Sequence, residues 1–169
     1  MLFRSVTLTG AHAYGFPSPD SDLDLKCVHI TPTSHLLRLE QRGLGSAERL
    51  EVLEGVEVDY SSNELGAVLH GVLQGNGNYL ERLLGAHVLR SSAELESLRP
   101  RVRAVLSRRL HKHYRGFALN QLREWEKTAF LSTKKLLYVL RTALTGTHAL
   151  LTGEVQPDLT ALKIGRAHV

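Results

Sequence analysis

The chain has 169 residues, of which 43% are hydrophobic and 22% are charged, and its formal net charge is +4 at pH 7. This composition is typical of a globular protein, and the length fits one domain or two small ones. No stretch approaches the roughly eighteen uninterrupted apolar residues of a membrane span, and the N-terminus lacks the basic-then-apolar order of a signal peptide, so we expect a cytoplasmic protein without a membrane partner.

Two further features of the composition narrow the chemistry. Cys27 has no second cysteine with which to form an internal disulfide or a thiolate zinc site, so we expect it to be a small buried hydrophobic residue. The sequence also has no glycine-rich loop that ends in Gly-Lys-Ser or Gly-Lys-Thr, which argues against a P-loop kinase or ATPase.

The first thirty residues predict two strands. Apolar residues occupy alternate positions over 2–8, and Gly10 ends that strand. The segment 23–30 alternates in the same way, which places Asp24 and Lys26 on one face and the leucines on the other. Polar residues on one face and apolar residues on the other are typical of a sheet covered on one side.

The next segments predict a loop, a third strand and two capped helices. Residues 38–50 are rich in Gly, Arg and Glu and predict a loop, and 52–60 predicts a strand. The capping pattern Ser-x-x-Glu occurs at 61–64 and at 91–94, and Pro100 is expected to begin a further helix. The helix after the first capping box has one apolar stripe, formed by Leu65, Val68, Leu69, Val72 and Leu73.

These elements predict an α+β fold, in which a small mixed sheet flanked by helices precedes an all-helical region. Residues 100–150 are expected to be almost wholly helical, and we place the domains at 1–88 and 89–162. The last six residues, IGRAHV, look like the translated start of a widely used sequencing adapter. We therefore expect 163–169 to be an artefact and the helical region to be truncated.

The stretch TGAHAYGFPSPDSDLDLK, residues 9–26, carries a dense group of carboxylates. Asp22 and Asp24 are two apart, so both side chains point to one face of an extended strand, where they can share one or two Mg²⁺ ions. A third acid on a neighbouring strand would complete a two-metal site, and Asp59 is the first candidate, with Glu57 in reserve. The alternative is a turn, in which aspartates are common.

A helix from about 132 predicts a second group of functional side chains. Lys134, Tyr138, Arg141 and Thr145 lie along one face of it, and four leucines form the other, at positions 136, 137, 140 and 144. Two cations and an aromatic ring on one stripe suit the phosphates and the base of a nucleotide. The alternative is surface Lys and Arg beside a packed Tyr, and the pattern leaves open whether Lys134 or Lys135 faces the cleft.

Residues 99–115 form a basic segment, with Arg, Lys and His side chains and no acid. Such a segment is able to face the phosphates of a nucleic acid, and RNA is the partner we expect for it. A solvated helix face is the alternative.

Taken together, the strings GAHAYG (10–15) and DSDLDL (20–25) resemble the signature of the DNA polymerase beta-type nucleotidyltransferase superfamily. The segment 58–84, VDYSSNELGAVLHGVLQGNGNYLERLL, is similar to part of the predicted nucleotidyltransferases called RlaP-type, which are associated with RNA repair. HYRGFALNQL (113–122) and KKLLYVLRTAL (134–144) resemble the helical half of those proteins. The resemblance runs over about 3–150.

This resemblance implies a sheet like the palm of polymerase beta and a role for each motif residue. Asp22 and Asp24 would bind two Mg²⁺ ions, for which Mn²⁺ can substitute, and Asp59 would assist the ion that activates the acceptor. Gly10 would let the backbone approach the phosphates of an NTP. The serine usual after that glycine is Ala11 here, which keeps the backbone amide and lacks the hydroxyl.

The function implied is a metal-dependent nucleotidyltransferase, which transfers a nucleoside monophosphate from an NTP such as ATP to an acceptor hydroxyl and releases pyrophosphate. Lys134, Tyr138 and Arg141 would hold the NTP. An RNA end is the favoured acceptor, and a small molecule or a protein hydroxyl is the alternative. A rival interpretation is a non-catalytic nucleotide- or RNA-binding module, such as an antitoxin-like partner.

Overall fold

A five-stranded mixed sheet forms the framework of the fold. The computed structural model describes residues 2–37 and 46–162. The order of the strands across the sheet is β3-β4-β2-β1-β5. Strands β2 and β4 pair in parallel, whereas β1 with β2, β3 with β4 and β1 with β5 pair antiparallel. The strands are β1 (Leu2–Thr9), β2 (Leu23–Ile30), β3 (Ser46–Leu53), β4 (Val56–Glu64) and β5 (Val88–Ser91).

The remaining described elements are helices, and the longest of them follow the sheet, so the predicted α+β class and helical second half are confirmed. The division into domains at residue 88 stays a prediction; β5 begins there and pairs with β1. No helix in the described part of the chain combines the length and the apolar character that crossing a membrane requires. The helices are α1 (Gly10–Ala13), α2 (Thr33–Leu36), α3 (Leu65–Leu73), α4 (Gly77–Leu84), α5 (Ala93–Ala104), α6 (Arg109–Glu126) and α7 (Thr133–Thr152).

The predicted strand 52–60 is wrong, because a tight turn divides it between β3 and β4. Glu54 and Gly55 both have positive φ, at 51° and 82°, as the commonest two-residue hairpin turns require. Apolar residues alternate at Leu50 and Val52 before the turn and resume in the same phase at Val56 and Val58 after it, so periodicity alone did not reveal the turn. Part of the predicted loop 38–50 belongs to β3, and 38–45 lies outside the described residues.

Both predicted capping boxes are displaced. Ser61 lies within β4, and Glu64 is the N-cap of α3, where its carboxylate accepts from the amide of Gly66 at 2.6 Å. The N-cap of α5 is Ser92, one position after the predicted serine. The strand pairing of β4 outweighs the local preference of Ser61 for a helix start, because it forms a longer ladder of backbone bonds.

Pro100 lies inside α5 and does not begin a new helix. A proline inside a helix removes one backbone donor. The helix is held to the core on both sides of the proline, by Leu95 and Val102, which are both buried. Tertiary packing on both sides of Pro100 therefore keeps α5 helical where the backbone hydrogen bond is missing.

One hydrophobic core joins the sheet to the helices. Val68 and Val72 of the predicted stripe are buried in it, whereas Leu73 is exposed, and Cys27 is fully buried as predicted. Because side chains of β2 and of α3 to α7 meet in this core, the helical half packs directly on the sheet half. Its buried members are Val28, Val68, Val72, Leu80, Leu83, Leu84, Leu95, Val102, Leu110, Tyr114, Ala149 and Val155.

A buried ion pair fastens α7 to α4. Arg141 Nη1 donates to Glu81 Oε1 at 2.7 Å, and the two side chains are only 2% and 5% exposed. The guanidinium carbon lies 3.9 Å from the ring centroid of Tyr14, whose hydroxyl donates to Glu81 Oε2 at 3.3 Å. Burial and the charge of Glu81 raise the pKa of Tyr14, so the phenol stays protonated and keeps donating. These three residues connect the loop after α1 with α4 and α7.

We expect Arg141→Met to lower the free energy of unfolding by about 3–5 kcal/mol, because it leaves the Glu81 carboxylate buried without an opposite charge. Urea denaturation measures the loss. Arg49→Met is the matched control, since Arg49 forms its ion pair with Glu51 at the surface, and it should cost at most about 1 kcal/mol. The double variant Glu81→Gln/Arg141→Met should recover most of the stability; a double variant no more stable than Arg141→Met would contradict this explanation.

Candidate active site

Two of the candidate carboxylates lie side by side on neighbouring parallel strands. Asp24 of β2 and Asp59 of β4 are partners in the register, and partners in a parallel pair point to the same face of the sheet. Lys26 lies two positions after Asp24, on that face. Its Nζ is 3.5 Å from Asp24 Oδ1 and 3.3 Å from Asp59 Oδ2. The structure therefore brings two acids and a lysine together.

Asp22 lies just before β2 and close enough to act on Asp24. Burial raises the pKa of the Asp24 carboxyl, the charge of Lys26 opposes that rise, and the negative charges of Asp22 and Asp59 add to it. Burial and like charges both disfavour the ionised form. Three carboxylates and one ammonium therefore meet here, and Asp24 is the acid on which burial and like charges act together.

Gly10 lies directly against the Asp24 carboxylate. Its φ is +68°, which L side chains rarely adopt, and a Cβ added there would overlap Asp24 Oδ2. Ala11 follows in α1 and its methyl group is buried. The structure thus places the start of α1 beside the acids, and the phosphate-binding role of Gly10 and Ala11 stays a prediction.

Tyr138 of α7 faces the carboxylates from the helical half. Burial raises the pKa of its phenol, and the charges of Asp24 and Asp22 raise it further, so the ring lies near both acids. The ring also makes edge contacts with Tyr14, at 5.9 Å between centroids, and with Phe16, at 5.3 Å. Three aromatic rings therefore form one wall beside the acidic group.

The structure distinguishes the two adjacent lysines of α7. Lys134 lies near the loop that carries the aspartates, because its positive charge helps to lower the pKa of Asp20 in that loop. The main cause of that lowered pKa is a hydrogen bond with Ser18. Lys135 instead donates from Nζ to the backbone oxygen of Glu124, at 3.2 Å, on α6. Lys134 is therefore the one on the side of the acids.

The predicted orientation of α7 is wrong in its second half, where the polar stripe faces inward. Arg141 lies in the buried pair with Glu81, and Thr145 is buried and donates to the backbone oxygen of Gln156 at 2.9 Å. Leu140, from the predicted apolar face, is 44% exposed. Arg141 Nη1 and the Thr145 hydroxyl both have hydrogen-bond partners, which offsets the cost of burying them. A contact of Arg141 with phosphate stays a prediction.

Sequence reasoning missed Lys26 and Glu81 as members of this region. Strand periodicity had already placed Lys26 on the face of Asp24, and that signal was sufficient to find it. Nothing in the local pattern of α4 marks Glu81, whose partners are 60 and 67 positions away.

Beside Lys26 is a polar cavity of about 180 Å³, lined by Thr9, Tyr14, Lys26, Asn78, Glu81 and Arg82.

The acids form a suitable but incomplete set of ligands for a divalent ion. Within residues 2–37 and 46–162, no three or more His, Cys, Asp or Glu side chains are grouped so that they could hold a metal. Asp22, Asp24 and Asp59 offer only carboxylate oxygens, which is the donor set that Mg²⁺ prefers. Three carboxylates act at Asp24 and only one ammonium lies beside it, so a further cation fits at this position. Lys26 neutralises part of the negative charge.

The basic segment 99–115 spans the end of α5 and the start of α6. One of its arginines, Arg109, donates to the backbone oxygen of Leu73 at 3.0 Å, and Arg99 pairs with Glu96. Binding of RNA by this segment stays a prediction. Its exposed basic side chains are Arg101, Arg103, Arg108, Arg109, His111, Lys112 and Arg115.

Comparisons with known proteins found one family model, a relative and a solved structure that are similar to this chain. A model of the RNA repair pathway DNA polymerase beta family matches residues 2–163. A Methanocaldococcus jannaschii protein, uncharacterized protein MJ0002, is 30% identical over 160 residues, which are 94% of this chain and 64% of that protein. The chain thus spans less than two thirds of this relative. A nucleotidyltransferase-like protein from Exiguobacterium sibiricum aligns with a TM-score of 0.45 and 10% identity, over 88% of this chain and 50% of that one.

We expect Gly10→Ala to destabilise the protein by more than the roughly 1–2 kcal/mol that a left-handed backbone costs an L residue, because the methyl group also displaces Asp24. Gly55→Ala is the matched control: φ there is +82° and nothing lies within 4 Å, so it should cost the backbone penalty alone. Urea denaturation of both variants gives the comparison. Equal losses would show that Gly10 does not constrain the carboxylate.

We expect Asp24→Asn to raise the melting temperature of the metal-free protein at neutral pH. The folded pKa of Asp24 is raised above its ordinary 3.8, so the folded state binds the proton more tightly and wild-type stability falls as pH rises between the two values. The advantage of the variant should therefore vanish below about pH 3.8. Thermal melts in EDTA across this range give the measurement, and a difference that does not change with pH would contradict the expectation.

Proposed function

Since the chain belongs to the RNA repair pathway DNA polymerase beta family, we propose that it is a metal-dependent nucleotidyltransferase. It binds an NTP, transfers the nucleoside monophosphate to an acceptor hydroxyl and releases pyrophosphate. The observation that carries the proposal is the register pairing of Asp24 with Asp59, with Asp22 beside them and Gly10 against Asp24.

The three aspartates are the metal ligands in this proposal. Asp22 and Asp24 hold two Mg²⁺ ions, and Asp59 takes part in holding the ion near the acceptor. Bound Mg²⁺ supplies activation of the acceptor hydroxyl and neutralisation of the charge on the leaving pyrophosphate. Gly10 gives the phosphates access to the backbone, since it has no side chain, and Ala11 offers an amide.

The helical half holds the nucleotide. Lys134, exposed and on the side of the aspartates, neutralises phosphate charge, and the ring of Tyr138 lies against the base or the sugar. Arg141 supports Tyr138 indirectly: its guanidinium packs on the ring of Tyr14, and that ring contacts the ring of Tyr138. Positioning of this kind is the main contribution a protein makes to phosphoryl transfer.

The acceptor we propose is an RNA end. The name of the family refers to an RNA repair pathway, and the exposed basic side chains of 99–115 suit a phosphate backbone. A small-molecule or protein hydroxyl would be revealed by transfer that does not depend on RNA.

A second candidate is a non-catalytic nucleotide- or RNA-binding module, such as an antitoxin-like partner. Two observations favour it: Ala11 lacks the hydroxyl of the usual serine, and the Lys26 ammonium lies between two of the carboxylates. Turnover distinguishes the two candidates, because a binding module releases no pyrophosphate.

We expect Mg²⁺-dependent pyrophosphate release from labelled NTPs in the presence of an RNA acceptor pool. Asp22→Asn and Asp24→Asn should each reduce the rate by roughly 10²-fold or more, because each removes charge that the transition state requires. Asp20→Asn is the matched control from the same loop, and as a substitution at an exposed residue it should stay within about threefold of wild type. Identical behaviour of wild type and the Asp22 and Asp24 variants with all four NTPs would rule out the enzyme.

A further inference from the structure

Lys26 lies between the two carboxylates that face each other across β2 and β4. Its Nζ is 3.5 Å from Asp24 and 3.3 Å from Asp59, close to both at once. The side chains of Lys26 and Asp24 are only 23% and 20% exposed, whereas Asp59 is 42% exposed. Solvent therefore screens the charges of Lys26 and Asp24 less than it screens the charge of Asp59.

In the metal-free protein, the acidic group formed by Asp22, Asp24 and Asp59 is stabilised by a nearby positive charge. Asp24 is penalised by burial and by the charges of Asp22 and Asp59. Lys26 is on the same strand as Asp24, so its charge is held near the carboxylate by the backbone. No translational entropy is lost, as it would be if a free cation bound from solution. An ammonium group has only N–H donors and no coordination position for a substrate oxygen, so it neutralises the carboxylates but does not coordinate the substrate as a metal ion does.

Space for a second position of the Lys26 side chain adjoins the first. The cavity of about 180 Å³ beside Lys26 is lined by the acceptor-bearing residues Thr9, Tyr14, Asn78 and Glu81 and by the cation Arg82. Lysine has a flexible four-carbon stem and three donors, so it is able to turn from one set of acceptors to another. There the side-chain oxygens of Thr9 and Asn78 are the acceptors for the ammonium, because the Glu81 carboxylate is already paired with Arg141.

Resting on the proposed function, we propose that Lys26 is a tethered counter-ion, which holds Asp24 and Asp59 together in the metal-free protein and turns into this cavity when a divalent cation binds. Lys26 then competes with the metal for the same two carboxylates. It is a positioning residue, and it lowers the affinity of the site for free divalent ions.

Replacement of Lys26 should therefore tighten metal binding. We expect Lys26→Met to lower the Kd for Mn²⁺, measured without nucleotide by the electron paramagnetic resonance signal of the free ion, by roughly tenfold, because it removes a competing positive charge within 4 Å of the ligands. Lys135→Met is the matched control: it removes the same charge from a lysine that contacts α6, and it should change the Kd less than about twofold. Lys26→Gln, which is neutral but keeps hydrogen-bonding groups, should tighten binding in the same direction.

A second measurement needs neither metal nor turnover. In EDTA, Lys26→Met should melt below wild type, because Asp24 and Asp59 are left without their nearby cation. Adding Asp24→Asn to it should restore the melting temperature. A Lys26→Met protein that melts like wild type in EDTA would overturn the counter-ion role.

The outcomes separate this inference from the proposed function. If wild type binds Mn²⁺ in a way that Asp24→Asn abolishes, but Lys26→Met and Lys26→Gln bind no more tightly, the inference falls and the proposed function stands. If the Lys26 variants bind Mn²⁺ more tightly and no NTP is turned over, the proposed function falls and the inference stands. If no variant binds Mn²⁺, the inference is overturned, and the release of pyrophosphate alone decides the proposed function.

Discussion

The structure depends on the ion pair of Glu81 and Arg141, which brings the helical half onto the sheet half at one fixed point. Both side chains are almost fully buried, so neither charge is tolerable without the other. Tyr14 adds a hydrogen bond to the acid and a ring face to the cation. An ion pair of this kind selects one docking position among the many that apolar packing alone would allow, because any shift separates the charges.

That docking position determines which side chain of α7 meets the acids. With Arg141 fixed, Tyr138 lies one turn earlier on the helix, against Tyr14 and beside the carboxylates of β2. The sheet contributes the acids and the internal ammonium of Lys26, and the helix contributes the aromatic wall. The candidate site is therefore shared by two parts of the chain, and each part contributes a different kind of interaction.

Sequence reasoning reached the parts of this arrangement that follow from a local period. Alternation along β2 placed Asp24 on its face, and helical spacing predicted a helix from about 132, where α7 begins at Thr133. It did not find the turn at Glu54 and Gly55, because the alternation continues on both sides of it. Nor did it find the partner of Arg141, because Glu81 is distant in sequence and the predicted stripe gave only the residues on a face, not the surface that face would meet.

The parallel pairing of β2 with β4 has a consequence for how the chain folds. Lys26 and Asp59 are 33 positions apart, and parallel neighbours cannot be joined by a tight hairpin, so these groups meet only after a long loop has closed. Contacts of such separation form slowly compared with local helices and hairpins. A growing polypeptide that has formed only its first two strands therefore carries Asp22 and Asp24 without the third acid, and the acidic group is complete only when the centre of the sheet has closed.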